Sequence, residues 1–552
     1  MACFKIVKSS LVFIIIVLGA ALRLLGLWER SVFSSSDEVM QALAALDIFN
    51  LYDAGSVAGA MRHFLRLLAV PWGCNIVILN SAFLGVFTLL GIPVTEFTVV
   101  LPHVVIGCVS IYAVYLLGSL LHSEGAGLIG AFFTAVMPIH ILSSRITGSI
   151  TLTGSIFCVA SVLCFVRYFR TQRSLAGSMG GVLLGLYIGW DGQFPAIALL
   201  IVLTGIIMSD GTPVNRLRRT LKLIFRRNVL FVPLAVTAVH VLVWLWFAFS
   251  RGDFYSGFIG HILSKKSAHS PVPGIFWQSL MLNTSPWFVL LSLAACIRGI
   301  CTASRRRSLL LLTLWAVLYL VPWLAFVGQS DTSWRIYYIA GLIPLSVLAG
   351  GFIVELSRSA GIRVIGLLSG CVLTLAVGVS LLSRSLCQVH NLWCKDPVSE
   401  YYYGRAVRSN SGIKTAGFFA REQVEDSERV FTDFGIPLVK YYFHRMPVAE
   451  KSSFWNFSAN EEKFRFLDEV IDELDYLFIR CENAGRAAPY LEKGFHKAAV
   501  IHQDGEPLIF VYARRRQKCR FLDVARYDAL FDEKYGNALS LRVPAWFSLE
   551  VF

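Results

Sequence analysis

Long apolar runs constrain the fold of this chain more than any other feature of its sequence. Eleven runs in the first 384 residues approach the roughly 20 residues that an α-helix needs to cross a bilayer. They lie at about 10–28, 98–121, 126–143, 150–166, 175–190, 194–209, 228–250, 286–300, 308–327, 336–355 and 364–383. Charged residues make up 16% of the chain, whereas a soluble globular protein has about a quarter. The sequence therefore predicts a polytopic α-helical membrane protein with about 11–13 spans.

The segment 75–93 is a further apolar stretch, and the run lengths leave its placement open. It could span the membrane, lie in the interface or re-enter, and it is flanked by Pro71, Trp72 and Pro93. With this segment left out and the N-terminus inside, the inner segments hold seventeen Lys and Arg residues and the outer loops eight. One extra span would put the basic cluster Arg216–Arg227 outside, against the positive-inside rule. We therefore expect 75–93 not to span, or to form a re-entrant pair.

Residues 385–552 differ in composition from the rest of the chain. Residues 1–384 hold 27 Lys and Arg against 12 Asp and Glu, whereas residues 385–552 hold 23 against 24. The later part is polar, with short apolar runs at Arg429–Thr432, Tyr476–Arg480, Ala498–His502 and Leu508–Tyr512. This pattern predicts a soluble α/β domain at 385–552 on the outer face, after a multi-span transmembrane domain at 1–384. Because the positive excess lies in the membrane part, it favours membrane lipids as partners and not nucleic acid.

Asp37 and Glu38 form an acidic pair shortly after the first apolar run. Asp37 could cap a helix at Glu38–Phe49, because Asp is a good N-cap residue. It could also act as a general base where a membrane-embedded substrate meets water, and one side chain can do both. The predicted topology gathers further charged residues at the same outer face, where they would line a cavity or pathway. These residues are Arg145, Asp191, His261, Lys265, Lys266, Asp331 and Arg335.

Several motifs resemble those of one enzyme class. They are Leu22–Leu27, Leu90–Pro93, Thr95–Phe97, Leu101-Pro102, Pro138 with Ser143–Arg145, Ser285–Trp287, Trp315 and Trp334–Pro344. On these residues the chain resembles the GT-C class of polyprenyl-phosphate-dependent glycosyltransferases over about residues 10–360. It looks most like the bacterial relatives of the protein O-mannosyltransferases and like the lipid A aminoarabinose transferases.

The resemblance implies a catalytic transmembrane domain and an inverting transfer of one sugar, a hexose or a pentose. The donor would be a polyprenyl-phosphate-linked sugar, and the acceptor a lipid, a glycan or a protein on the outer face. The implied location is the bacterial inner membrane, with the active site and the C-terminal domain facing the periplasm. The implied process is lipopolysaccharide or protein glycosylation.

The chemistry assigns roles to the candidate residues. Asp37 suits the base that deprotonates the acceptor hydroxyl, with Glu38 as its partner or as a group that orients the acceptor. Arg335 and Arg145 suit the donor phosphate, because the guanidinium fork matches phosphate oxygens; either could instead anchor its helix at the interface. His261, Lys265 and Lys266 lie in a loop that could be merely solvated or could clamp the phosphate. Candidate sugar or acceptor contacts are Trp190, Asp191, Gln193, Tyr337 and Tyr338.

The sequence leaves open whether the protein uses a metal cofactor. Many members of the class that the chain resembles have an acidic residue a few positions after the Ser-Arg pair, and this chain has Ile146–Thr153 there, with hydroxyls and no carboxylate. The sequence therefore does not offer a complete acidic site for a divalent metal.

Two other functions fit parts of the pattern. A lipid-sugar flippase or transporter would favour charged or broken helices near the middle of the membrane in two related halves, whereas the charges here gather at one face and no internal repeat is evident. An oligosaccharyltransferase-like transfer of a preassembled glycan is the nearer alternative, since Gly189–Gly192 and Trp334-Arg335 resemble those enzymes. The Trp-Trp-Asp acceptor motif of such enzymes is absent from residues 385–552.

Overall fold

The structure is a computed structural model of the whole chain. The residues that it describes are 2–27, 55–59, 61, 74–92, 95–146, 150–188, 194–250, 276–277, 280–281, 283–302, 307–324, 339–359, 363–389, 412–445, 447–448 and 460–535. They divide into two compact units. The first takes its described residues from Met1–Trp28, Met61–Leu79 and Val100–Asp396, and the second from Glu29–Ala60, Asn80–Val99 and Pro397–Phe552.

Helices occupy the position of every predicted apolar run. They are α1 (Ala2–Leu24), α2 (Cys74–Leu89), α3 (Leu101–Leu121), α4 (Glu124–Val136), α5 (Pro138–Ser143), α6 (Ile150–Thr171), α7 (Ser174–Ile188), α8 (Phe194–Met208), α9 (Pro213–Ile224), α10 (Arg227–Ser250), α11 (Pro286–Cys301), α12 (Arg307–Leu324), α13 (Ile339–Ser359) and α14 (Arg363–Gln388). The ambiguous segment 75–93 is helical over α2, and the short helix α9 carries the basic cluster.

Within the described residues, four helices are long and apolar enough to cross a membrane. They cover Leu101–Leu121, Leu152–Thr171, Ile339–Ser359 and Val364–Cys387, and the other apolar helices are shorter. Helix α13 is mostly buried among its neighbours, whereas α14 exposes Val364, Leu367, Leu368, Val372, Leu375 and Val379. An apolar face of this length is stable only where lipid covers it.

The run 126–143 forms two helices in place of one. Ser123 caps the start of α4, and its side chain accepts a hydrogen bond from the Ala126 amide. Met137 is extended, with ψ 125°, and Pro138 then begins α5. Proline lacks an amide hydrogen and suits the first turn of a helix but not its interior. The break turns the chain at one end of the bundle.

Close packing of α4 against α13 depends on two glycines. A Cβ at Gly130 would lie 3.1 Å from the Ser346 carbonyl oxygen, and one at Gly350 would lie 2.8 Å from the Ala126 carbonyl oxygen. Small residues let helix backbones approach where no large side chain could fit. The core of the first unit continues from this contact through Phe133, Phe288 and Trp315.

Hydrogen bonds sort the helix ends of the first unit into two groups. At one end, Arg307 of α12 donates to the Ser209 carbonyl just after α8, and Tyr168 near the end of α6 donates to the Leu223 carbonyl of α9. At the other end, Ser385 near the end of α14 donates to the Val136 carbonyl at the end of α4. The C-terminal end of α1 belongs to this second group, together with α5 and the first turns of α3.

A five-stranded sheet forms the centre of the second unit. Its strands are β1 (Val430–Thr432), β2 (Tyr476–Arg480), β3 (His496–Gln503), β4 (Glu506–Ala513) and β5 (Arg520–Asp523), in the order β1-β2-β4-β3-β5. The outer pairs β1–β2 and β3–β5 are parallel, and the two inner pairs are antiparallel. The hairpin between β3 and β4 turns at Asp504 and Gly505, with φ of 51° and 84°, as a two-residue Asp-Gly turn requires.

Helices cover the sheet. They are α15 (Ile413–Gln423), α16 (Ile436–Phe443), α17 (Asn460–Val470), α18 (Ala484–Glu492) and α19 (Val524–Tyr535). The four apolar runs predicted after residue 400 correspond to β1–β4, so the small α/β domain is confirmed as a class. Strand β5 has the short sequence Arg-Phe-Leu-Asp, which carries too little alternation to predict a strand.

Candidate functional site

A fully buried arginine, Arg23, lies near the C-terminal end of α1. Its Nε donates to Ser144 Oγ at 3.1 Å. Its Nη1 donates to the carbonyls of Gly19 at 2.7 Å and Ala135 at 3.2 Å. Its Nη2 lies 2.6 Å from His140 Nδ1. A guanidinium buried among apolar helices is costly unless its N–H groups are bonded, and these contacts supply the bonds.

The contact between Arg23 and His140 fixes the state of the imidazole. A guanidinium only donates, so His140 Nδ1 accepts and carries no proton. The proton is on Nε2, which donates to Ser110 Oγ at 2.7 Å, and Ser110 in turn donates to the Gly107 carbonyl at 2.8 Å. His140 is therefore neutral in this arrangement and ties α1, α3 and α5 together.

Arg145 lies beside this cluster and binds the exposed end of α1. Its Nη1 donates to the Leu25 carbonyl at 2.6 Å and to the Arg23 carbonyl at 3.4 Å. Gly26, with φ 66°, ends the helix in the left-handed conformation that a helix C-terminus commonly takes. A cation at this position complements the carbonyls and the negative end of the helix dipole.

This end of α1 leads toward the predicted acidic pair. Leu27 is the last described residue of the segment, and Asp37 follows ten positions later. Arg23 and Arg145 together fix the point from which the chain leaves the first helix.

Arg145 is the predicted site residue that the structure describes. The other predicted site residues lie outside the described residues. They are Asp37, Glu38, Trp190, Asp191, Gln193, His261, Lys265, Lys266, Arg335, Tyr337 and Tyr338. Their roles stay predictions. No group of three or more His, Cys, Asp or Glu side chains that could hold a metal ion occurs within the part of the chain that the structure describes.

A second buried polar cluster lies within the second unit. Glu96, from the turn before α3, is 5% exposed, and Lys414 of α15 is 1% exposed. Lys414 Nζ lies 3.2 Å from Glu96 Oε1 and also forms an ion pair with Asp532. The Tyr442 hydroxyl donates to Glu96 Oε1 at 3.0 Å. A residue from the segment between α2 and α3 is thus part of the core of the second unit.

The electrostatics of this cluster shift several pKa values. Burial alone would lower the pKa of Lys414, but Glu96 and Asp532 outweigh it and hold the pKa above its usual value. Burial raises the pKa of Asp528 to about 6, even though Thr415 Oγ1 donates to its carboxylate at 2.6 Å. The cluster therefore keeps Lys414 charged, and Asp528 stays protonated to a higher pH than an exposed carboxyl would.

At the opposite end of the first unit, a carboxylate, a guanidinium and an imidazole meet. Glu355 of α13 accepts from Arg298 of α11 and lies 3.1 Å from His122 Nε2, just after α3. The carboxylate is buried, so its two partners offset the cost of removing it from water. This contact joins three helices and lies far from the end of α1.

Arg23, Glu96 and Lys414 received no role from the sequence alone. Arg23 is the single charged residue in the run 10–28, and a charge inside an apolar run is a signal of a specific partner. Its side-chain partners, His140 and Ser144, are more than 100 positions away. No spacing rule links such positions, so the cluster could be suspected but not assembled from the sequence.

The fold is that of the GT-C class of membrane glycosyltransferases. The archaeal oligosaccharyltransferase AglB from Archaeoglobus fulgidus, solved with an inhibitory peptide and a dolichol-phosphate, superposes with a TM-score of 0.57 at 14% identity, over 89% of this chain and 73% of that one. ArnT from Cupriavidus metallidurans bound to undecaprenyl phosphate superposes with a TM-score of 0.54 at 12% identity, over 93% of this chain and 98% of that one. ArnT in the apo state gives the same TM-score over 86% of this chain.

These comparisons confirm the predicted fold class and its resemblance to GT-C enzymes. The chain is an integral membrane protein with a C-terminal domain built on a small sheet. No family model matches the chain. No curated protein matches its sequence. At 12–14% identity, the superpositions establish the fold and carry no residue roles to this chain.

Proposed function

We propose that this protein is a glycosyltransferase that moves one sugar from a polyprenyl-phosphate donor to an acceptor lipid, glycan or protein. The observation that carries the proposal is the shared fold over 93% of the chain with ArnT, a protein solved with undecaprenyl phosphate bound. The sequence motifs that resemble the same class also support the proposal. Motifs of this kind lie on α1, α3, α5 and α11.

The proposed reaction is an inverting displacement. The hydroxyl oxygen of the acceptor attacks the anomeric carbon, and Asp37 accepts the proton of that hydroxyl. The bond between that carbon and the phosphate oxygen breaks, and polyprenyl phosphate leaves with the bonding electrons. Glu38 supports Asp37 or orients the acceptor. Arg335 and Arg145 neutralise the leaving phosphate, since the planar guanidinium matches its oxygens.

The remaining candidates serve binding in this proposal. His261, Lys265 and Lys266 close over the donor phosphate, and Trp190, Asp191, Gln193, Tyr337 and Tyr338 contact the sugar or the acceptor. Arg23 acts as a positioning residue, because it fixes the end of α1 from which the segment with Asp37 departs. Arg145 also holds the end of α1, because its Nη1 donates to the Leu25 carbonyl.

The proposal includes a location. Residues 1–384 form the catalytic transmembrane domain, and residues 385–552 form a domain on the outer side of a bacterial inner membrane. The support is the positive-inside count, together with the two groups of helix ends in the first unit. One group of helix ends includes α9, which carries the basic cluster. The other group includes the end of α1 at Arg23, after which the acidic pair follows in the sequence.

An oligosaccharyltransferase-like transfer of a preassembled glycan is the second candidate. The superposition on AglB, with a TM-score of 0.57, favours it as much as ArnT favours the first. Both candidates share a lipid-linked donor and differ in what the lipid carries.

Mass spectrometry of the lipid that co-purifies with the protein in mild detergent tests the proposal. We expect a polyprenyl phosphate with one sugar, and we expect more of it on the variant Asp37→Asn, which binds donor but turns it over slowly. A polyprenyl diphosphate with an oligosaccharide would select the second candidate. Absence of any polyprenyl lipid from both proteins, after supply of a polyprenyl-phosphate sugar during purification, would overturn the donor class.

A further inference from the structure

Helix α9, the short basic helix between α8 and α10, has three distinct faces. One face packs on the first unit: Thr220 and Leu223 are buried, and Tyr168 donates to the Leu223 carbonyl at 3.2 Å. The approach is close, because a Cβ at Gly205 of α8 would lie 2.2 Å from Thr220 Cγ2. Thr212 caps the helix by accepting from the Asn215 amide, and Pro213 begins it. The helix is therefore a fixed element with a defined orientation.

The second face of α9 is apolar and exposed. Val214, Leu217 and Leu221 follow one another at intervals of three and four residues, which puts them on one side of a helix, and Phe225 continues the stripe. Val214 is 74% exposed and Phe225 69%. In the first turns of α10, Phe231 and Leu234 are also exposed. Exposed apolar residues therefore occur both on α9 and on the start of the helix that follows it.

The third face is basic. Arg218, Arg219 and Lys222 are exposed, and exposed Arg226 and Arg227 follow directly. Residues 211–250 contain no Asp or Glu. The charges of this face therefore find no compensating carboxylate along their own segment.

We infer that α9 lies in the plane of the membrane–water interface and binds the headgroups of anionic phospholipids. A helix with an apolar face toward the acyl chains and Lys and Arg toward the headgroups is the form that interfacial helices take. Basic residues near an anionic surface gain electrostatic energy from it. The positive-inside rule alone would require basic residues in this segment, but not their separation from an exposed apolar stripe on a folded helix. This inference does not depend on the proposed reaction.

Lipid titration of the full-length protein in detergent tests this inference. The probes are phosphatidylglycerol and phosphatidylcholine with the same acyl chains, and bound lipid is counted by native mass spectrometry. The test variant is R218Q/R219Q/K222Q. The matched control is K493Q/R516Q/K518Q, which removes the same charge from exposed residues of the second unit. Circular dichroism and the elution volume establish that both variants keep the fold.

We expect the wild-type protein and the control to bind phosphatidylglycerol more tightly than phosphatidylcholine. In the α9 variant the ratio of the two affinities should fall at least about tenfold, which corresponds to about 1.4 kcal/mol. A second variant, L217Q/L221Q, should weaken the binding of both lipids, because it removes the apolar stripe. Soluble glycerol phosphate should not displace the lipid.

Three results would overturn the inference. They are equal binding of the two lipids by the wild-type protein, an unchanged preference in the α9 variant, and an equal loss in the control. Displacement by glycerol phosphate at concentrations similar to those of the lipid would instead identify a site for free phosphate, and would also reject a membrane-binding helix.

Discussion

Arg145 Nη1 lies 2.6 Å from the carbonyl oxygen of Leu25, so a residue after α5 holds the end of α1. The bond is charge-assisted, and it falls where the helix carbonyls have no partner of their own. The same guanidinium was predicted from the sequence to meet the donor phosphate.

Arg145→Ala should therefore lower both stability and donor affinity. Loss of the contact with Leu25 should cost about 1 kcal/mol of unfolding free energy, because the group is partly exposed. Thermal unfolding in detergent measures the first effect, and donor titration measures the second. Arg173→Ala, at an exposed position at the other end of the unit, is the control and should change neither. An unchanged unfolding temperature for Arg145→Ala would show that the contact with Leu25 contributes nothing.

The second prediction concerns the proposed base. Asp37→Asn keeps the size and most of the capping ability of the side chain but removes its basicity. Activity should fall roughly 100-fold or more, the scale of a lost general base, with expression and donor binding retained. Glu38→Gln should have a milder effect. Turnover with a synthetic polyprenyl-phosphate sugar measures both.

If Glu38→Gln abolishes turnover while Asp37→Asn preserves it, the two roles are reversed. If both variants remain active, the pair serves only as a helix cap.

The third prediction concerns the buried ion pair of the second unit. Lys414→Met leaves Glu96 buried beside Tyr442 without its cation, and should destabilise the unit by about 3–5 kcal/mol. Lys534→Met, which removes an exposed lysine from the same unit, should change the free energy of unfolding far less, because exposed ion pairs contribute little. The double variant Glu96→Leu with Lys414→Met should recover part of the loss, because the uncompensated carboxylate is gone. Chemical unfolding of the full chain in detergent measures all three, and equal effects of Lys414→Met and Lys534→Met would contradict the role of the pair.

The fourth prediction is a pH dependence at Asp528. Burial raises its pKa to about 6 from the usual 3.8, so ionisation disfavours the folded state. The sign follows from linkage: the stability that the protonated carboxyl contributes is fully present below about pH 4 and is lost as the pH rises through 6. Asp528→Asn does not ionise. Its stability relative to the wild-type protein should therefore improve by about 2 kcal/mol between pH 4 and pH 7.

Parallel unfolding curves at pH 4, 5, 6 and 7 measure this difference. Asp523→Asn is the control, since that residue is on the same strand–helix segment but half-exposed. A difference between Asp528→Asn and the wild-type protein that stays constant with pH would contradict the raised pKa.

The sequence predicts local structure better than it predicts the contacts that assemble the site. The run 308–327 predicts α12 because apolar length alone specifies a helix in a membrane. Pro138 shows the limit of that rule. Its missing amide hydrogen divides the run 126–143 into two helices, and the apolar length of the run does not predict this break. Arg23 shows a further limit, since the residues that satisfy it come from three different helices. The relation of Arg145 to Leu25 is likewise a tertiary contact that no local pattern encodes.

The burial of Glu96 in the second unit sets an order of events during synthesis. Tyr442, which donates to Glu96, is 346 positions later in the chain. At about 5–20 residues per second, roughly 20–70 s pass between the translation of the two residues. The helices from α3 to α14 emerge from the ribosome in that interval, before Tyr442 can reach the carboxylate of Glu96. The second unit can bury Glu96 only after its later residues have been synthesised. Its assembly therefore follows the synthesis of helices α3 to α14.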